Sequence, residues 1–114
     1  MTPDRANAIR AALLVERARL LADVEETIQA PGQMTYGSQA AAASQVFEQQ
    51  RDLALRERAT QQLALVDGAL ARLGSGTYGA CLRCDRPIAE ARLEALPWAA
   101  NCIDCQAVVD RERR

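Results

Sequence analysis

Cys81-Leu82-Arg83-Cys84 and Cys102-Ile103-Asp104-Cys105 are two copies of one frame, separated by 17 residues, and their reading decides the fold. Two residues between cysteines let a tight turn aim both sulfurs at one point. Two such turns supply the tetrahedral four-thiolate shell that zinc accepts. The chain has 4 cysteines and no histidine, so a mixed Cys/His finger is impossible, and Cys81, Cys84, Cys102 and Cys105 are the candidate ligands. Two disulfides or four unrelated buried thiols are the alternatives, and the specificity of the doubled spacing favours zinc over both. Four thiolates leave no open position for water, so the expected role of Zn2+ is structural, one ion per chain, and hydrolytic zinc chemistry is not expected. A redox CxxC would open a helix after a strand in a βαβ setting, and neither frame does so.

Outward from the cysteines, Thr77-Tyr78-Gly79 leads into the first frame and Asp85-Arg86-Pro87 reads as a turn. The stretch from Ile88 to Leu96 has helical spacing that Pro97 terminates. Ile88, Leu93, Leu96 and Trp98 are the expected apolar core around the metal, and a closing helix is expected from Gln106 to about Arg113. A head of about 38 residues is below the size at which an apolar core suffices alone, so the metal acts as a staple.

Upstream, Pro3 to Ile28 reads as a helix with Thr2 as its cap. Leu14, Leu21 and Ile28 recur every seven residues, flanked by Leu13, Leu20 and Val24. Ala30-Pro31-Gly32 stops it, and Pro31 to Gly37 reads as a loop. A second helix starts near Ser38 and runs through Gly68 to Gly74-Ser75-Gly76, with an apolar stripe of Val46, Leu53, Leu63, Val66, Leu70 and Leu73. Helices of about 26 and 36 residues would be about 39 and 54 Å long. Joined by a single short connection, they predict an antiparallel hairpin. The expected fold is therefore mainly α: a long antiparallel helical hairpin (coiled coil) over residues 1–75 with its tip near 30–44, then a small zinc-finger head with a C-terminal helix over 76–114.

Composition agrees with helices. Hydrophobic residues make up 49% of the 114-residue chain and aromatics only 4%, which suits a sheet poorly. No apolar run approaches a membrane span and no signal-peptide pattern opens the chain, so a cytoplasmic location is the expectation. A reducing cytosol agrees with thiolates held by metal. The 14 basic residues, all arginine, face 15 acidic ones. The signs balance segment by segment, with four against five over 1–36, four against four over 37–80 and six against six over 81–114. A nucleic-acid binder carries a basic excess, so no direct DNA binding is expected. Arg83, Arg86 and Arg92 are read as groups that offset the charge of four thiolates. No base and nucleophile can be paired, so the chain is not expected to be an enzyme.

Gly76-Thr77-Tyr78-Gly79-Ala80-Cys81-Leu82-Arg83-Cys84, then Ile88, Arg92-Leu93-Glu94-Ala95-Leu96-Pro97 and Cys102-Ile103-Asp104-Cys105 closely resemble the DksA/TraR family of four-cysteine zinc-finger proteins. The resemblance is strongest over 74–106, and the block from Val46 to Leu55 is also similar to the second helix of the longer members. It implies a bacterial transcription regulator that binds RNA polymerase directly, with its coiled-coil tip in the secondary channel, in some members together with ppGpp; no residues here match a ppGpp site. The family's tip pattern, Asp-x-x-Asp-x-Ala, falls on Ser38, Ala41 and Ala43, where only the final alanine is present. That departure implies an altered regulatory outcome. The other expectation is a DksA-like protein whose hairpin serves another protein contact or self-association.

Overall fold

The computed structural model describes residues 1–29 and 39–113, and only the backbone of residues 27–29 and 39–41. The helix stop at 30–32, the loop that follows it and the Ser38 cap lie outside the described residues. Four helices follow one another: α1 (Pro3–Gln29), α2 (Gln39–Ser75), α3 (Glu90–Ala95) and α4 (Ile103–Glu112). Among the described residues the only β pairing is a single antiparallel bridge between Ala80 and Pro87. None of their helices is long and apolar enough to cross a membrane.

The chain divides into two compact units, one made of Met1–Arg17 with Ala64–Arg114 and the other of Ala18–Leu63. In the first, the Arg5 amide donates to Thr2 Oγ1 at 3.2 Å, so Thr2 caps α1 as its hydroxyl suggests. Leu13, Val66 and Ala69 are buried, and Arg17 Nε donates to Asp67 Oδ1 at 2.7 Å. Arg5, near the start of α1, pairs with Glu90 at the start of α3, which makes this stretch of α1 antiparallel to the end of α2. That end is closed by Gly76 at φ 79°. The Thr77 amide donates to the Arg72 carbonyl at 3.0 Å, the six-to-one closure that a left-handed residue permits, and the Tyr78 amide donates to the same carbonyl at 3.2 Å.

In the second unit Leu20 is buried, and Val24, Gln45, Asp52, Ala59, Gln62 and Leu63 are half-buried. The interior stripe differs from the one expected. Leu14 and Leu21 are exposed, as are Val46 and Leu53, while their neighbours Leu13, Leu20, Gln45 and Asp52 turn inward. Each leucine pair straddles the seam, and only one member can face its centre on a helix of 3.6 residues per turn. On α2 the inward positions 45, 52, 59, 66 and 73 also keep a seven-residue spacing. That spacing favoured the apolar alternative on paper because three of the five are polar or alanine.

The head packs Cys81, Ile88, Leu93, Ala99 and Cys105 into one cluster, with Tyr78, Leu96 and Cys102 against it. Trp98, expected in this core, is only half-buried. The Tyr78 hydroxyl donates to the Pro97 carbonyl at 2.8 Å and ties the lead-in glycine-tyrosine segment to the turn after α3. The closing helix begins at Ile103, three residues before the expected Gln106. Cys102 has an extended φ/ψ of −67°/167° and occupies its cap position, so the second cysteine frame is itself the first turn of α4.

Candidate metal centre

Two different local structures bring the thiols together. The first frame sits in the turn of a miniature hairpin: the Ile88 amide donates to the Gly79 carbonyl at 2.7 Å, Cys81 to Arg86 at 2.8 Å and Asp85 back to Cys81 at 2.9 Å. Asp85 closes the turn at φ 63°, a left-handed position that aspartate tolerates better than most side chains. The second frame is a helix start, with the Gln106 amide donating to the Cys102 carbonyl at 2.8 Å. The first frame is tied to the segment just before the second by the Leu82 amide, which donates to the Ala100 carbonyl at 2.9 Å.

The ligand atoms of Cys81, Cys84, Cys102 and Cys105 all lie within 4.8 Å of one another, and Cys84 Sγ is 3.9 Å from Cys102 Sγ. A tetrahedral Zn–S₄ shell has sulfur–sulfur edges of about 3.8 Å, from a Zn–S bond of about 2.3 Å. The donor set therefore fits zinc in number, kind and spacing. Cys81 and Cys105 are buried while Cys84 is exposed, so the centre has a dry side and a wet side.

The thiols on their own cannot all ionise. Burial pushes Cys81 up, but the backbone amides of Cys102, Cys84 and Arg83 outweigh it and pull that thiol down to about 6. Hydrogen bonding with Cys102, then burial, pushes Cys105 up to about 12. One sulfur close to its neighbours takes the charge and another is denied it, the behaviour of coupled groups in one site. A dication removes that conflict and lets all four act as thiolates.

Of the arginines expected to offset the thiolate charge, Arg83 is exposed and acts on Cys105 in the expected sense, favouring its charged form. Arg92 instead donates Nε to the Asn101 carbonyl at 3.0 Å, and Arg86 is exposed. Sequence reading missed Asn101, whose side-chain oxygen is 3.8 Å from Cys81 Sγ. The signal available was its position, immediately before the second frame. As for the tip residues, Ser38 lies outside the described residues, Ala41 is described only as helical backbone, and Ala43 is exposed on α2.

Residues 76–111 match the family model of the prokaryotic dksA/traR C4-type zinc finger. Similarity extends beyond the finger. The RNA polymerase-binding transcription factor DksA of Caulobacter vibrioides is 31% identical over 104 residues, covering 90% of this chain and 73% of that protein. An uncharacterised protein of Aquifex aeolicus is 47% identical over 47 residues, but the match spans only 41% of this chain and 32% of that protein. Among solved structures, transcription factor DksA2 of Pseudomonas aeruginosa superimposes with a TM-score of 0.82 at 31% identity, covering 100% of this chain and 90% of that one. The clustered thiols and the C4 finger together make one structural zinc the cofactor of this chain.

Proposed function

The chain belongs to the DksA/TraR family of C4-type zinc-finger proteins, and we propose that it binds RNA polymerase directly and regulates transcription without contacting DNA. The observation that carries this reading is the reach of the similarity. Identity to a protein named as RNA polymerase-binding extends over 90% of the chain, well beyond the 76–111 finger, so the helices upstream are kept along with the metal. In this reading residues 1–75 form the hairpin that enters the secondary channel and residues 76–114 form the head that stays outside. Cys81, Cys84, Cys102 and Cys105 hold the zinc, whose part is to fold the head. The protein acts by binding and not by catalysis.

The tip carries the difference. Ser38 and Ala41 stand where the family pattern has aspartates, and neutral side chains cannot act electrostatically on metal-bound or nucleic-acid groups. The regulatory outcome therefore differs from that of an acidic tip, while docking is kept. The test is equilibrium binding of the zinc-loaded protein to core RNA polymerase, with Ser38→Asp/Ala41→Asp in parallel. Saturable binding by both, with a changed transcriptional effect only in the double variant, is the expected result; no binding by either removes the reading.

A second reading is favoured by Val46, Phe47 and Leu53 on α2, which are 52%, 73% and 54% exposed. These residues suit a contact with another protein or a second copy. Sedimentation showing a concentration-dependent dimer, together with no polymerase affinity, would select it.

A further inference from the structure

Asn101 connects the metal centre to α4. Its side-chain oxygen lies 3.8 Å from Cys81 Sγ, its Nδ2 donates to Gln106 Oε1 at 3.3 Å, and Gln106 Nε2 donates to Asp110 Oδ1 at 2.9 Å. Arg92 Nε, bonded to the Asn101 carbonyl at 3.0 Å, fixes the backbone from which this amide projects. Cys81 is 1% exposed, so its sulfur finds its hydrogen-bond partners in the protein rather than in water.

A zinc-bound sulfur carries no proton and only accepts hydrogen bonds. An asparagine oxygen beside it sets lone pair against lone pair. Half a turn of the amide exchanges oxygen and nitrogen at nearly constant shape and brings Nδ2 to the sulfur. Asn101 Oδ1 then faces Gln106, whose amide must turn in step to donate its own Nε2. Gln106 is left presenting Oε1 to Asp110, an acceptor facing an acceptor, and that bond along α4 opens.

We propose that Asn101 is a positioning residue for the zinc, donating its side-chain N–H to the Cys81 sulfur. In the loaded head the linked amides of Asn101 and Gln106 then leave Asp110 without the bond from Gln106. The role parallels that of partners behind the ligands in other metal sites, whose loss costs about 10- to 100-fold in affinity. It depends on zinc occupancy alone, so it is read without polymerase and stands or falls separately from the function proposed above.

The test is zinc competition against a chromophoric chelator with the full chain. Asn101→Leu is expected to weaken zinc retention about 10-fold and Asn101→Asp more, because a carboxylate cannot donate and repels thiolate. Asp110→Ala should hold zinc at least as tightly as the parent, since the bond it removes is absent from the loaded head; weakened retention in this variant overturns the linked turn of the two amides. A second measurement needs no variant: in the cadmium-113-loaded protein, one side-chain amide proton of Asn101 should show coupling to the metal through the N–H···S bond. Retention by Asn101→Leu equal to the parent, or absence of that coupling, overturns the proposal. Weakened retention without the coupling would assign Asn101 a packing role and overturn it equally.

Discussion

Replacing Leu13 by alanine and, separately, Leu14 by alanine tests how the seam of the first unit was chosen. The two positions are adjacent, share the helix α1 and share a side chain. Leu13 is 0% exposed and Leu14 50%. A fully buried leucine truncated to alanine loses transfer energy and leaves a cavity, for a cost of about 2–5 kcal/mol. Alanine's better helix propensity returns only a few tenths of a kcal/mol. A substitution at an exposed site of this kind stays within about 0.5 kcal/mol. At about 4–8 °C per kcal/mol for a domain near this size, Leu13→Ala should melt at least about 7 °C below the parent, and Leu14→Ala within a few degrees of it. The assay is thermal and urea unfolding of the zinc-loaded protein followed by circular dichroism at 222 nm. Equal losses, or a larger loss from Leu14→Ala, would refute the seam described here and restore the heptad through Leu14 and Leu21.

Cys84→Ser should abolish stoichiometric zinc and expose residues 77–114 to protease while leaving much of the helical signal; retained zinc with unchanged resistance would contradict the staple role. Tyr78→Phe removes the hydroxyl bond to the Pro97 carbonyl and should cost about 1 kcal/mol, read as a lowered urea midpoint at unchanged m-value. The side-chain hydrogen bond from Arg5, and then its charge, hold the Glu90 carboxyl below its ordinary value. Folded-state depression of an acid gives stability that is present above its unfolded pKa and is lost as pH falls through the lower folded value. Carboxyl NMR titration should therefore place the Glu90 midpoint below the ordinary carboxylate range, and Arg5→Ala should return it there. Zinc addition to metal-free protein at pH 7 should release the proton of Cys105, whose thiol is pushed up to about 12. Apparent zinc affinity then rises with pH, and an indicator titration showing no proton release would exclude four-thiolate ligation.

The metal centre was legible because its signal is local: two residues within each frame fix the turn, and chemistry allows few readings of four such cysteines. The outer ends of the two long helices were legible from their punctuation, with Thr2 and Pro3 where α1 begins and Gly74-Ser75-Gly76 where α2 ends. What could not be read was the face each helix buries. Leu13 and Leu14 are both leucine, so the sequence of α1 alone offers no preference, and only the facing helix decides. On α2 the pattern was misleading, because Gln45 and Asp52 turn inward while Val46 and Leu53 face out. The start of α4 was missed for a related reason. Cys102 is not among the residues that cap well, and a cysteine frame that doubles as a helix start is visible only once both frames converge.

The composition of the head core explains why the metal is needed there. Of the five buried residues in its cluster, Cys81 and Cys105 are ligands and Ala99 is small, leaving Ile88 and Leu93 as the only large aliphatic side chains. At about 1.5–3 kcal/mol for each fully buried large aliphatic side chain, that pair supplies only a few kcal/mol. Zinc binding to such sites contributes about 10–16 kcal/mol near neutral pH, more than the two side chains together. The ligands are thus also the core, and any change that loosens a sulfur removes both at once. The hairpin contact of the same unit is less exposed to that failure. Leu13, Val66 and Ala69 are buried without help from the cysteines, and the ion pair from Arg17 to Asp67 lies beside them. Stripping zinc should therefore cost the order of the head before it costs the helices.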